Sequence, residues 1–234
     1  MEALARWRHP QRGILGPNAF IPVAENHQLI DVLTVEVFSQ AVQQAKAWKD
    51  TGLDLKTAIN LSMDSLKRLE LPELFITHIN QSGLDYKRIG FEVTESRLMN
   101  DITTSLEILT RLKLKGIELS IDDFGTGYST MEQLQRIPFS ELKIDRQFVS
   151  GAVHDSSNRA ILESSVELAK KLGMKVVAEG VETEDELRLV TRLGCDYIQG
   201  YYVSHPLPGS EVLTWINNWK QSNQFQRLSH KTGT

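Results

Sequence analysis

Residues 116–129, GIELSIDDFGTGYS, decide how this chain is read. Ile117, Leu119 and Ile121 alternate with other residues, the period-two pattern of a β-strand. The run closes on two adjacent carboxylates, Asp122 and Asp123, and then on a turn with two glycines. Adjacent acids at a strand end are often only caps for the next helix. Side by side in a buried place they also cost desolvation and mutual repulsion, which a cation would offset.

The same arrangement recurs on both sides of that stretch. TAIN ends at Asn60, IGFE at Glu92, VVAE at Glu179 and YIQ at Gln199; ELKID carries Lys143, and Glu2 stands at the start of EALARW. Most of these apolar runs precede a helical pattern, so the repeat is strand, polar tip, helix. In a (β/α)₈ barrel the C-terminal strand ends converge on one face, where active sites sit. The expected fold is therefore an α/β barrel of the TIM type, with these tips forming one site.

The intervening segments agree with this. Residues 31–51 have an amphipathic pattern, with Val32, Val35, Phe38, Val42, Ala45 and Trp48 on one stripe and Gly52 as the stop. A second helical stretch runs from Ser65 to Gln81, and Pro72 within it predicts a break or two shorter pieces. Helices near 102–115, 155–172 and 183–193 end at Gly116, Gly173 and Gly194, the residue type that closes a helix in a left-handed conformation. The short strands are nearly all apolar, as in a parallel sheet covered on both sides. From about Ser222 the pattern fades, and residues 222–234 are expected to be a flexible tail.

Composition sets the outer bounds. With 234 residues, 41% apolar and 24% charged, the chain has room for one large α/β domain. A net charge of −4 without a basic cluster speaks against a nucleic-acid polymer as partner. The single Cys195 cannot form an internal disulfide, which fits a reducing cytoplasmic compartment. No apolar run reaches the roughly 18 residues of a membrane span, although a parent protein could be membrane-bound. The six histidines show no H-x-x-H or H-E-x-x-H spacing, which disfavours a zinc hydrolase, and neither a P-loop nor a G-x-S-x-G elbow appears.

What remains is an all-oxygen metal site with a lysine, and phosphate-ester hydrolysis is its natural chemistry. Hard divalent ions take oxygen ligands, and two-metal sites hold their ions about 3.5–4 Å apart, a gap one carboxylate can bridge. Asp122 is the candidate bridge. Glu92 shares a strand face with Thr94 and points into the barrel top, while Glu95 leaves toward the following loop and anchors it. Asn60 taken alone is more often a turn residue than a ligand. Lys143 pairs with a carboxylate or positions water. Glu179 is a strand tip, and Glu182 starts a helix.

EALARWRHP (2–10), FIPVAE (20–25), INLS (59–62), FEVTES (91–96), DDFGTGYS (122–129), LKIDR (142–146), AEGVET (178–183) and QGYYVSHPLP (199–208) resemble the EAL-domain phosphodiesterases of bacterial cyclic-di-GMP signalling. The resemblance runs in order along nearly the whole chain. It implies a modified TIM barrel over residues 1–221 that hydrolyses cyclic di-GMP to linear 5′-pGpG with two Mg²⁺ or Mn²⁺ ions, Ca²⁺ being inhibitory. It places Glu2, Asn60, Glu92 and Asp122 on one ion and Asp122, Asp123 and Glu179 on the other. Lys143 and Glu179 would orient and deprotonate water, with Gln199 bonding the water shell. Arg6 would meet a substrate phosphate, Tyr201, Tyr202 and Pro206 would line a guanine pocket, and Glu95 would anchor the DDFGTGYS loop. A homodimer contact through residues 124–136 and the adjacent helix follows from the same resemblance.

Two features depart from the family pattern. His205 stands where a more strongly basic residue is usual. Family members also carry a helix and a strand, and often sensory or cyclase domains, before the EAL strand, whereas here Glu2 follows Met1 directly. The expectation is an N-terminally truncated barrel lacking that first helix and strand, less stable and less active than a version extended upstream. Beside the enzyme stand two alternatives: a cyclic-di-GMP receptor without turnover, and a regulatory or scaffolding domain acting through the 124–136 loop.

Overall fold

The computed structural model describes residues 1–62, 64–95, 102–127 and 131–222. Strand β1 (Glu2–Ala3) is followed by a hairpin of β2 (Trp7–His9) and β3 (Gly13–Leu15). Helices α1 (Ile21–Asn26) and α2 (Ile30–Asp50) lead to β4 (Thr57–Asn60). Strand and helix then alternate through α3 (Leu71–Ser82), β5 (Ile89–Thr94), α4 (Ile102–Leu114), β6 (Glu118–Phe124), α5 (Met131–Arg136) and β7 (Glu141–Ile144). The remainder is α6 (Arg146–Gly151), α7 (Ser156–Lys171), β8 (Lys175–Ala178), α8 (Glu184–Leu193), β9 (Tyr197–Ile198) and α9 (Val212–Lys220).

Apart from the β2–β3 hairpin, the strands form one parallel sheet in the order β1-β4-β5-β6-β7-β8-β9. Among the described residues this is a TIM-barrel-like architecture with seven strands in the sheet. Its outer members, β1 and β9, share no backbone ladder. They meet instead at the top, where Gln199 Nε2 donates to Glu2 Oε2 at 2.6 Å across 197 residues of sequence. A cavity of about 840 Å³ runs along the unpaired side of β1, between it, α2 and the segment before α9, with Ala3, Leu4, Trp7, Val37, Trp48 and Leu207 in its wall.

Strand register sets the site level. Asn60 lies opposite Glu92, Glu92 opposite Ser120, and Thr94 opposite Asp122. Between Ile121 and Phe124 the register with β7 shifts, and Asp123 adopts a left-handed backbone with φ of 54°. In a regular strand, adjacent residues point to opposite faces. The irregularity is what lets Asp122 and Asp123 serve the same side, a use typical of bulges beside active sites. Outward residues such as Phe91, Val93, Leu119, Ile121, Leu142 and Ile144 are buried beneath the helices. Phe38 of α2, Phe75 of α3 and Phe91 of β5 stack with ring centroids 4.2–5.8 Å apart and fix those two helices to the sheet. The inner face is polar. Near its floor Lys56 pairs with Glu118 and with Glu141 (3.4 Å), and Ser120 donates to Glu141 (2.8 Å).

One local expectation is corrected and a second is met. Val32 is 69% exposed; the buried row of α2 is Ile30, Thr34, Phe38, Ala41, Val42, Ala45 and Trp48, because the row through Phe38 at helical spacing passes Thr34 and Ile30. The 65–81 stretch resolves into a 3₁₀ turn, Ser65–Lys67, and α3, with Pro72 in the first turn where its missing N–H costs nothing. The expected tail lies outside the described residues from 223 onward, as do residues 128–130 of the 124–136 segment. Among the described residues no helix is long and apolar enough to cross a membrane.

Candidate active site

Lys143 is the hub of the barrel mouth. It is 2% exposed, and its ammonium lies 2.8 Å from Glu92 Oε2, 2.8 Å from Glu179 Oε1, 2.9 Å from Asp122 Oδ1 and 3.8 Å from Glu2 Oε2. Those separations are short, yet Lys143 Nζ, Glu92 Oε2 and Asp122 Oδ1 form no aligned hydrogen bond. Such unsatisfied buried polar atoms are uncommon and point to an ion or a functional role.

Glu2 is held from both sides. Asn60 Nδ2 donates to its Oε1 at 2.7 Å and Gln199 Nε2 to its Oε2 at 2.6 Å. A donating amide nitrogen leaves the carbonyl oxygen of Asn60 and of Gln199 free to face a cation or water. One oxygen from each of Asp122, Asp123 and Glu179 lies within 4.8 Å of the others, a spacing that could hold a metal ion. The structure thus brings Glu2, Asn60, Glu92, Asp122, Asp123, Lys143, Glu179 and Gln199 from seven strand ends into one mouth.

The electrostatics are unbalanced. Burial pushes Glu92 up to about 8, with Glu2 and Asp122 adding to the rise and Lys143 opposing it. Burial likewise lifts Glu179 to about 7, against the pull of Lys143 and with the help of Asp122. Asp123 rises to about 6 through burial and the neighbouring charges of Asp122 and Asp145. For Lys143, burial alone would depress the ammonium, but Glu92, Glu179, Glu2 and Asp122 outweigh it and raise its pKa. Glu2 is held below its ordinary value because Lys143 and the Gln199 and Asn60 amides overcome its burial. With all five acids ionised, five carboxylates among the described residues would face the Lys143 ammonium, a deficit equal to the charge of two divalent ions.

Three further segments carry the other residues expected around the acids. Glu95 is 3% exposed, and its Oε2 accepts from Gly125 N (2.8 Å) and Gly127 N (3.1 Å), holding the start of the loop after Asp123. Arg6 follows β1 on the cavity wall and donates to its neighbour's carbonyl, Ala5 O, at 2.9 Å. Tyr201 and His205 stack with centroids 4.0 Å apart; Tyr202 is anchored by its N–H to Val181 O at 2.9 Å, and Pro206 is exposed. These four sit on the loop after β9. Asp145 was not foreseen. It caps α6 by accepting from Gln147 N and also raises the pKa of Asp123. Its spacing of two from Lys143 on β7 was the available signal.

The EAL domain family model matches residues 1–206. MucR of Pseudomonas aeruginosa, described as a bifunctional diguanylate cyclase/cyclic di-GMP phosphodiesterase, is 42% identical over 217 residues, 92% of this chain and 32% of that protein. The cyclic di-GMP phosphodiesterase NbdA of the same organism is 40% identical over 209 residues, 89% of this chain and 27% of its own length. The solved structure of the PaMucR phosphodiesterase in complex with c-di-GMP superposes with a TM-score of 0.86 at 42% identity, covering 90% of this chain and 86% of that one. The chain belongs to the EAL domain family. It spans about a third of the length of these curated relatives.

Proposed function

We propose that this chain hydrolyses cyclic di-GMP to linear 5′-pGpG with two Mg²⁺ or Mn²⁺ ions. The observation that carries the reading is the charge deficit at the mouth, where five carboxylates face a single buried ammonium. The fit to cations rests on chemistry: hard oxygen donors, an orphaned oxygen on Glu92 and on Asp122, and acids whose pKa values rise for want of positive charge. Glu2, Asn60, Glu92 and Asp122 would hold one ion, and Asp122, Asp123 and Glu179 the other. When bound, the ions would supply Lewis-acid charge and water of lowered pKa.

The chain's own residues do the rest. Glu179 takes the proton from the attacking water, and a pKa near neutrality suits a base at working pH. Lys143 fixes Glu179 and offsets phosphate charge, which charge-assisted contacts do better than neutral ones. Gln199 orients water beside Glu2. Arg6 binds the substrate phosphate, and Tyr201, Tyr202 and Pro206 receive a guanine. The named activities and bound c-di-GMP of the MucR relatives support this substrate. A homodimer through residues 124–136 and the adjacent helix, cytoplasmic action and further domains in a longer protein belong to the same reading. The Glu95 hold on Gly125 and Gly127 supports a defined start to that loop.

The test is chromatographic: c-di-GMP is incubated with the chain and Mg²⁺ or Mn²⁺, and pGpG is measured beside arms with EDTA and with Ca²⁺. Conversion with Mg²⁺ or Mn²⁺, and binding without conversion in Ca²⁺, is expected. Binding without conversion in every arm would establish the receptor reading instead.

A further inference from the structure

The turn after β8 carries Glu179 into the site, and a second buried carboxylate holds that turn from behind. Glu186, in the first turn of α8, is 7% exposed. Its Oε2 accepts from Glu182 N at 2.7 Å and from Thr183 N at 2.9 Å, while Thr183 Oγ1 accepts from Glu186 N at 3.3 Å. The Thr183 and Glu186 pair is a capping box, which ordinarily serves the helix alone. The additional N–H from Glu182 extends its grip back into the turn.

That turn is tied to the catalytic strand end next to it. Val181 N donates to Gln199 O at 3.0 Å, and Tyr202 N donates to Val181 O at 2.9 Å. The backbones press so closely that a Cβ on Gly200 would fall 2.2 Å from Val181 O and 2.4 Å from Val181 N. Gln199 in turn reaches Glu2. Hydrogen bonds joined by covalent steps along the 181–183 backbone and through Gln199 therefore link Glu186 to Gln199 and Glu2. Glu95 grips the loop after Asp123 in the same manner, one carboxylate oxygen taking two backbone N–H groups.

We propose that Glu186 is a positioning residue for the reaction, fixing Glu179 and Gln199 through the 180–183 turn; this rests on the hydrolytic reading above. Two variants separate this role from helix capping. Glu186→Asp keeps the charge but withdraws the carboxylate by one methylene, and Thr183→Val removes the cap on Glu186 N while leaving both N–H groups to Glu186 Oε2. Misplacement by about 1 Å can cost on the order of 10²-fold in rate, so Glu186→Asp should lower kcat at least about tenfold with KM nearly unchanged. Glu186→Gln, which retains the acceptor oxygen, should restore most of it. Thr183→Val should lower Tm and leave kcat within about twofold, as loss of a cap does.

Hydrogen exchange on the full chain gives a readout independent of turnover. Glu186→Asp should speed exchange at 180–183 and at 199–202, and Thr183→Val should not do so at 199–202. Equal loss of kcat in both variants, or unchanged exchange at 199–202 in Glu186→Asp, would overturn the proposal. An inactive wild-type chain would sink the hydrolytic reading, while the exchange arm would still decide what Glu186 holds.

Discussion

Replacing Lys143 by Met tests the electrostatic core of the site. The substitution keeps an unbranched stem and removes the ammonium that lies within 2.9 Å of Glu92, Glu179 and Asp122. Removing one partner of a buried ion pair costs roughly 3–5 kcal/mol because the remaining charge stays uncompensated. Here Glu92, already raised to about 8, and Glu179, raised to about 7, can take up protons near neutral pH, which places the cost at the lower end. For a chain of this size about 1 kcal/mol moves Tm by ~2–4 °C, so a loss of ~3 kcal/mol is a drop of roughly 6–12 °C in EDTA. Divalent ions would supply the missing charge and narrow that gap. Turnover should fall by at least about 10²-fold even with metal, since the proposed mechanism also asks Lys143 to offset phosphate charge. The assay is a thermal melt in EDTA and in excess Mn²⁺, paired with pGpG formation. A Tm within about 2 °C of wild type in EDTA would refute the view that these carboxylates depend on Lys143.

Glu179→Gln should reduce kcat by roughly 10²–10⁴-fold while c-di-GMP binding, measured with Ca²⁺, is retained; unchanged hydrolysis would remove Glu179 as the base. Asp122→Ala should abolish activity and weaken Mn²⁺ binding in calorimetry, and a wild-type titration curve would exclude its bridging role. The acids also set a pH dependence for the metal-free protein. Because Glu92, Glu179 and Asp123 have raised pKa values, the folded chain keeps protons that the unfolded chain has released. Their contribution to stability is therefore complete below the ordinary carboxylate range and is lost as pH rises through about 6 to about 8. The Tm gained on adding Mn²⁺ should grow across that same window, and a gain that shrinks with rising pH would contradict the assignment.

The strand-tip pattern made the parallel barrel-like sheet legible, because short, largely apolar runs reaching Asn60, Glu92, Asp122, Lys143 and Glu179 mark both the strands and the end where they converge. What escaped depends on three-dimensional neighbours. Nothing in the letters DD announces the irregularity that turns Asp123 to the same side as Asp122. Val32 looks like a core residue by type and lies instead on the exposed flank of α2. Pro72 signalled a break correctly, since a proline in mid-helix removes a hydrogen bond whereas one in the first turn does not. Asp145 and Glu186 resemble ordinary helix-start acids in sequence. The influence of Asp145 on Asp123 appears only when β6 and β7 lie side by side, whereas the reach of Glu186 to the 182–183 backbone is local and extends the Thr183 capping box.

On the proposed reading, two divalent ions fill the deficit of positive charge at the barrel mouth, and turnover requires both. Equilibrium dialysis counts Mn²⁺ bound per chain in the presence of a non-hydrolysed nucleotide analogue, and pGpG formation is measured across the same metal concentrations. Two ions per chain are expected, with turnover rising as the second binds. Full turnover with one ion or none would contradict that reading.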